Sequence, residues 1–165
     1  MKKLLFVLFT IISVVGFSGC EGVNDERIPN MPVSISLSTQ GEWNTYGVTA
    51  FGASREFIIG KTPKDFNYKS GSATGFGGVI LIVGHDLMPL AYDLSCPVER
   101  SREVLLKIEQ EQYHAVCNKC GSVYDVTMAD GSPLSGPAAL KNNRYVLKKY
   151  QVYPTISGGY DIRNY

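Results

Sequence analysis

Cys96, Cys117 and Cys120 are the residues of this chain whose type and spacing allow chemistry. They fall in two short stretches, Cys96-Pro97-Val98 and Cys117-Asn118-Lys119-Cys120-Gly121-Ser122-Val123-Tyr124-Asp125. A Cys-x-x-Cys pair with a third cysteine is a common zinc ligand set, with zinc–sulfur bonds of about 2.3 Å and a fourth Cys or His. The same thiols can also pack without any metal, since a free cysteine behaves as a small hydrophobe. His85, Glu99, His114 and Asp125 are the side chains in sequence range of a fourth position. His114 fits poorly, because residues three apart on a strand running into Cys117 face opposite sides. A thioredoxin-like redox pair needs a helix N-terminus to lower its thiol pKa. After Cys120 the chain instead reads Gly-Ser-Val-Tyr-Asp, a turn and a strand.

The elements that must hold these cysteines have the period of strands. Val33, Ile35 and Leu37 alternate with Ser34, Ser36 and Ser38, which buries one face. The run Val79 to Val83 predicts a strand buried on both faces. Gly75, Gly77 and Gly78 mark a turn ahead of it, and Leu90 to Asp93 reads as its hairpin partner across His85-Asp86. Further strands are expected at 56–59, 103–108, 114–116, 123–126, 145–154 and 160–162. Helical period is absent apart from a turn at Ala138 to Asn142. The fold class expected is all-β, an antiparallel β-sandwich or barrel. Asp86, Asp93, Asp125 and Asp130 flank turns, where an Asx-turn role is expected rather than catalysis. Trp43 is expected in the core, and Lys148-Lys149 on a solvated strand edge, where lysines discourage sheet-to-sheet pairing.

Taken together, the two cysteine stretches resemble the cluster-binding loops of Rieske-type [2Fe–2S] domains, where each loop supplies one Cys and one His. Val98 stands at the first His position and Cys120 at the second. The likeness continues through the Ala-Tyr-Asp step before Cys96-Pro97, through Ser135-Gly136-Pro137-Ala138, and through Leu147, Tyr150 and Val152. It spans about Pro32 to Ile162 and is closest to the histidine-poor Bacteroidetes type. The resemblance implies a Rieske-like domain over 32–165, with a small subdomain of two loops and Gly136-Pro137-Ala138 covering the site from the side. It implies metal ligands Cys96, Cys117 and Cys120 for an altered [2Fe–2S] cluster. Zinc, a disulfide from Cys96 to Cys117 or Cys120, and a metal-free thiol cluster remain open beside it. With His85 and His114 as its whole histidine complement, the chain has no mononuclear two-His-one-carboxylate iron site of the kind a Rieske oxygenase adds. No catalytic residue is expected, and the protein is not expected to be an enzyme.

The N-terminus sets the compartment. Lys2 and Lys3 precede an apolar run from Leu4 to Phe17, shorter than the about 20 residues of a membrane span. It ends in Phe17-Ser18-Gly19-Cys20, which resembles a bacterial lipobox. Residues 1–19 are expected to be a lipoprotein signal peptide, Cys20 the lipidated (palmitate-bearing) residue, and 20–31 a polar tether. That places the chain in the bacterial cell envelope, at the outer membrane, with the membrane as partner through Cys20. A formal charge of +1 over 165 residues gives no reason to expect nucleic acid. With Cys20 acylated, three thiols remain, so at least one stands outside any intramolecular disulfide. Two functions follow from this reading: a metal-binding or electron-transfer protein with an altered ligand set, or a metal-free structural or interaction module.

Overall fold

The computed structural model describes residues 23–24, 26–128, 130–140 and 143–164, so the expected signal peptide and Cys20 lie outside the described residues. Strands dominate. In chain order they begin with β1 (Val23–Asn24), β2 (Val33–Thr39), the helix α1 (Gln40–Tyr46), β3 (Ser54–Phe57) and β4 (Ala73–Thr74). Next come β5 (Val79–Val83), β6 (Pro89–Asp93), β7 (Lys107–Glu109), β8 (His114–Val116) and β9 (Val123–Asp125). The last are β10 (Pro133–Ser135), β11 (Ala139–Leu140), β12 (Asn143–Tyr145), β13 (Lys149–Pro154) and β14 (Gly158–Arg163).

Seven of these strands form one antiparallel, nearly closed barrel-like sheet in the order β3-β5-β6-β13-β14-β2-β4. Neighbours β6 and β13 lie far apart in sequence, and the chain between them builds separate small sheets. Strands β7 to β10 make a four-stranded sheet, and β12 pairs with β1 on one side and β11 on the other. The cysteine-bearing region is thus an insertion between two adjacent barrel strands.

Strand β5 explains how barrel and insertion are joined. Its five residues are all at most 2% exposed. Val79, Leu81 and Val83 face the barrel core with Ile35, Leu37, Phe57 and Ile162, while Ile80 and Ile82 face a second core. That second core contains Cys96, Cys117, Tyr124, Ala138 and Leu147. The period of two sends alternate side chains to opposite faces, so one strand serves both cores. The sheet is a shared wall between the barrel and the cysteine region.

Several local expectations need correction. Helix α1 had no helical period to announce it, because seven residues are less than two full repeats. It is set by a capping box: Thr39 Oγ1 accepts the Glu42 N–H at 3.2 Å, and Glu42 Oε2 accepts the Thr39 N–H at 3.2 Å. Trp43 on this helix is buried against Tyr160, with ring centroids 4.4 Å apart. Of the turn expected at Ala138 to Asn142, Ala139–Leu140 form strand β11, and 141–142 lie outside the described residues. The stretch 145–154 is divided between β12 and β13. Lys149 is exposed and pairs with Tyr92 of β6 alone, while Gln151–Pro154 of the same strand pair with β14, so β13 lies inside the sheet order although the lysine itself has a partner on one side.

Candidate metal centre

Each cysteine stands on a tight turn closed on its own backbone. The Cys96 carbonyl accepts Arg100 N–H at 2.9 Å, and the Cys96 N–H donates to Val104 O at 3.2 Å. The second loop joins β8 to β9: Gly121 N–H donates to Cys117 O at 2.8 Å and Cys117 N–H to Ser122 O at 2.9 Å. Gly121 has φ +73°, a conformation that costs glycine little and a side-chain-bearing residue more. These hydrogen bonds fix where each Cα–Cβ bond points, so the spacing Cys-x-x-Cys becomes a geometry.

That geometry is convergent. The Sγ atoms of Cys96, Cys117 and Cys120 all lie within 4.8 Å of one another, and Cys96 and Cys120 are 3.6 Å apart. Two sulfurs sharing one tetrahedral ion at bonds of about 2.3 Å would stand about 3.8 Å apart. The three thiols are therefore close enough together that they could hold one ion. Cys96 and Cys117 are fully buried and Cys120 is partly open to solvent.

The surroundings hold the loops in register. Lys119 Nζ pairs with Glu99 Oε2 at 2.6 Å, bridging the two loops on the surface. Arg27 donates from Nε to Pro97 O at 3.1 Å and from Nη2 to Val98 O at 3.3 Å, and its guanidinium lies 4.2 Å from the Tyr145 ring centroid. Ser122 Oγ sits 3.2 Å from Cys120 Sγ and accepts the Ala138 N–H at 3.1 Å. A Cβ on Gly136 would fall 2.7 Å from Gly121 O, so this glycine lets the 135–138 segment lie flat on the cysteine loop. Tyr124, fully buried, places its Oη 3.8 Å from Cys96 Sγ.

The thiols are not equivalent. Burial pushes the Cys96 thiol up to about 12. At Cys120 burial also works upward, but hydrogen bonding to the Ser122 side chain and backbone and to the other two thiols outweighs it. Cys120 therefore ionises below an ordinary thiol. The phenol of Tyr124 is raised by burial and by the negative charge that Cys96 would carry. Of these two thiols, Cys120 gives up its proton the more readily.

The other residues in sequence range lie elsewhere. Glu99 is engaged by Lys119, and Asp125 Oδ1 accepts the Thr127 N–H at 2.8 Å and the Met128 N–H at 3.1 Å. His114 sits opposite Asp125 in the β8–β9 ladder, and exposed His85 packs against Phe51 with ring centroids 4.7 Å apart. Val98, without a donor atom, packs on the same core as the cysteines. Among the described residues no His, Asp or Glu joins the trio. A [2Fe–2S] cluster needs four protein ligands in two pairs. Three convergent sulfurs do not supply that set.

Sequence reasoning did not single out Arg27, Ser122 or Tyr124. All three depend on contacts between distant segments. The Ser122 position alone carried a local signal, two residues after Cys120 in a Gly-Ser turn. Asp93 is likewise more than a turn residue. It is fully buried in β6 and accepts Phe76 N–H at 2.9 Å, Gly77 N–H at 3.1 Å, Ser95 N–H at 2.7 Å and Tyr150 O–H at 2.6 Å. This carboxylate anchors the start of the Cys96 loop to the barrel. Compared with protein-family models, with curated proteins and with solved structures, the chain finds no match.

Proposed function

We propose that this protein is a metal-binding module of the bacterial envelope, anchored through a lipid on Cys20, in which Cys96, Cys117 and Cys120 hold one ion where two loops meet. The observation that carries the reading is the convergence of three sulfurs within 4.8 Å on loops that are 21 or more residues apart in sequence. A single ion there would tie the insertion to the barrel strand that delivers Cys96. The insertion of a two-loop subdomain between neighbouring strands β6 and β13 supports a Rieske-like ancestry, with the cluster replaced by a simpler site.

A second reading has its own support. Cys96 and Cys117 are fully buried, and a Cys96 thiol that ionises only near 12 is content as a neutral packing group. In that reading the trio is a metal-free structural contact in an interaction module. Elemental analysis of anaerobically purified protein, with a thiol count under denaturing conditions, separates the two. One equivalent of metal per chain, lost in Cys120→Ser, is the expected result. Three reduced thiols without metal would leave the metal-free module standing.

A further inference from the structure

We infer that the trio is a three-coordinate thiolate site for a soft monovalent ion, Cu(I), an inference that rests on the metal-centre reading and adds the class of ion to it. Coordination number makes the choice. Structural zinc sites are almost always closed with four protein ligands. Here the described residues bring three sulfurs together and no fourth His, Asp or Glu. Thiolate donors select soft ions, Cu(I) among them, and Cu(I) is stable with three sulfurs in a plane. At bonds of about 2.3 Å such sulfurs stand about 4 Å apart, within the 4.8 Å envelope seen here.

What surrounds the trio also argues against a fourth donor. Val98 is aliphatic and packs, with Cys120, on the core that contains Cys96 and Cys117. Ser122 Oγ is already engaged by the Ala138 N–H at 3.1 Å. Tyr124 Oη, at 3.8 Å from Cys96 Sγ, is placed to hydrogen-bond to that sulfur. Glu99, the nearest carboxylate after Cys96 in sequence, is held at the surface by Lys119 at 2.6 Å. Binding breaks three S–H bonds, forms three Cu–S bonds and sends three protons to solvent. Copper enters and stays as Cu(I), so no electron changes hands.

The test uses the reduced, full-length protein under anaerobic conditions. Cu(I) is titrated against a chromophoric Cu(I) chelator, Zn(II) against a zinc indicator, and the copper form is examined by X-ray absorption. One Cu(I) per chain with three sulfur neighbours and no light-atom neighbour is expected, held more tightly than Zn(II). Affinity should fall by roughly a hundredfold or more in Cys117→Ser and in Cys120→Ser. Cys120→Ser alters a partly exposed position and guards against a folding failure in the buried Cys117 variant, with circular dichroism as the check. Tight Zn(II) with weak Cu(I), or a zinc site completed by water, would overturn the copper inference and leave the metal centre intact. Copper held by two sulfurs, unaffected by Cys117→Ser, would overturn the three-coordinate site. Binding of neither ion by three reduced thiols would overturn both readings.

Discussion

Asp125 shows how one side chain can shape the turn beside the candidate centre. Its Oδ1 accepts Thr127 N–H at 2.8 Å, Thr127 O–H at 2.9 Å and Met128 N–H at 3.1 Å, which closes the turn after β9. Burial works to raise its pKa, but these hydrogen bonds, with a smaller contribution from His114, hold it below the ordinary aspartate value of 3.8. A carboxylate depressed in the folded state contributes stability above its unfolded pKa, and that contribution fades as pH falls through the folded value. Asp125→Asn keeps an acceptor oxygen and removes the charge. At pH 7 it should cost about 1 kcal/mol, a figure kept low because the group is only partly buried. The gap in denaturant midpoint should hold above about pH 4, the unfolded carboxylate range, and close as pH falls below it through the lower folded value. A gap that stays constant down to pH 2 would show that the charge plays no part.

At the scale of elements, the junction between the glycine-rich turn and the start of the Cys96 loop is the tightest point near the site. A Cβ on Gly77 would collide with Ser95 Oγ and come within 2.9 Å of Ser95 N. Ser95 Oγ is itself buried with no hydrogen-bond partner among the described residues. Removing that hydroxyl therefore removes an unsatisfied group, and Ser95→Ala should leave stability unchanged or raise it by about 1 kcal/mol. Gly77→Ala should cost about 3 kcal/mol by overpacking. The double variant should recover only part of that loss, because the Ser95 backbone contact remains. Full recovery in a double-mutant cycle measured by urea unfolding would show that the hydroxyl was the whole obstacle.

The same elements show what local sequence can and cannot reveal. Alternation in Val33 to Leu37 and the unbroken apolar run Val79 to Val83 are one-strand signals, and both strands stand where the pattern puts them. Spacing likewise marked Cys117 and Cys120, and the resemblance joined Cys96 to them. Helix α1 was hidden because Thr39 is both the last residue of a strand and the helix cap, with Gly41 weakening the helical propensity. The place of β13 inside the sheet depends on partners β6 and β14, which no window around Lys148-Lys149 contains. Arg27 reaches the Cys96 loop from about 70 residues away, a contact invisible to any motif.

At the scale of the whole molecule, the first described residues run close to the candidate centre. Strand β1 pairs in parallel with β12, Val23 opposite Arg144 and Asn24 opposite Tyr145. Four residues past Val23, Arg27 lies over the Tyr145 ring and donates to the carbonyls of Pro97 and Val98. The chain therefore approaches the domain beside the Cys96 loop. From Cys20 to Val23 an extended chain spans at most about 11 Å. If Cys20 carries the lipid, the face with both cysteine loops is held close to the bilayer. Asn118, exposed in the second loop, is a place to test this. The native chain has one tryptophan, Trp43, buried in the barrel core, so Asn118→Trp adds a single emitter on that face. In acylated protein on vesicles carrying brominated acyl chains, the added emission should be strongly quenched, while that of Trp43 is spared. Cys20→Ala should abolish the quenching by releasing the domain. Added emission that stays bright in the vesicle-bound, acylated protein would mean that the cysteine loops face away from the membrane.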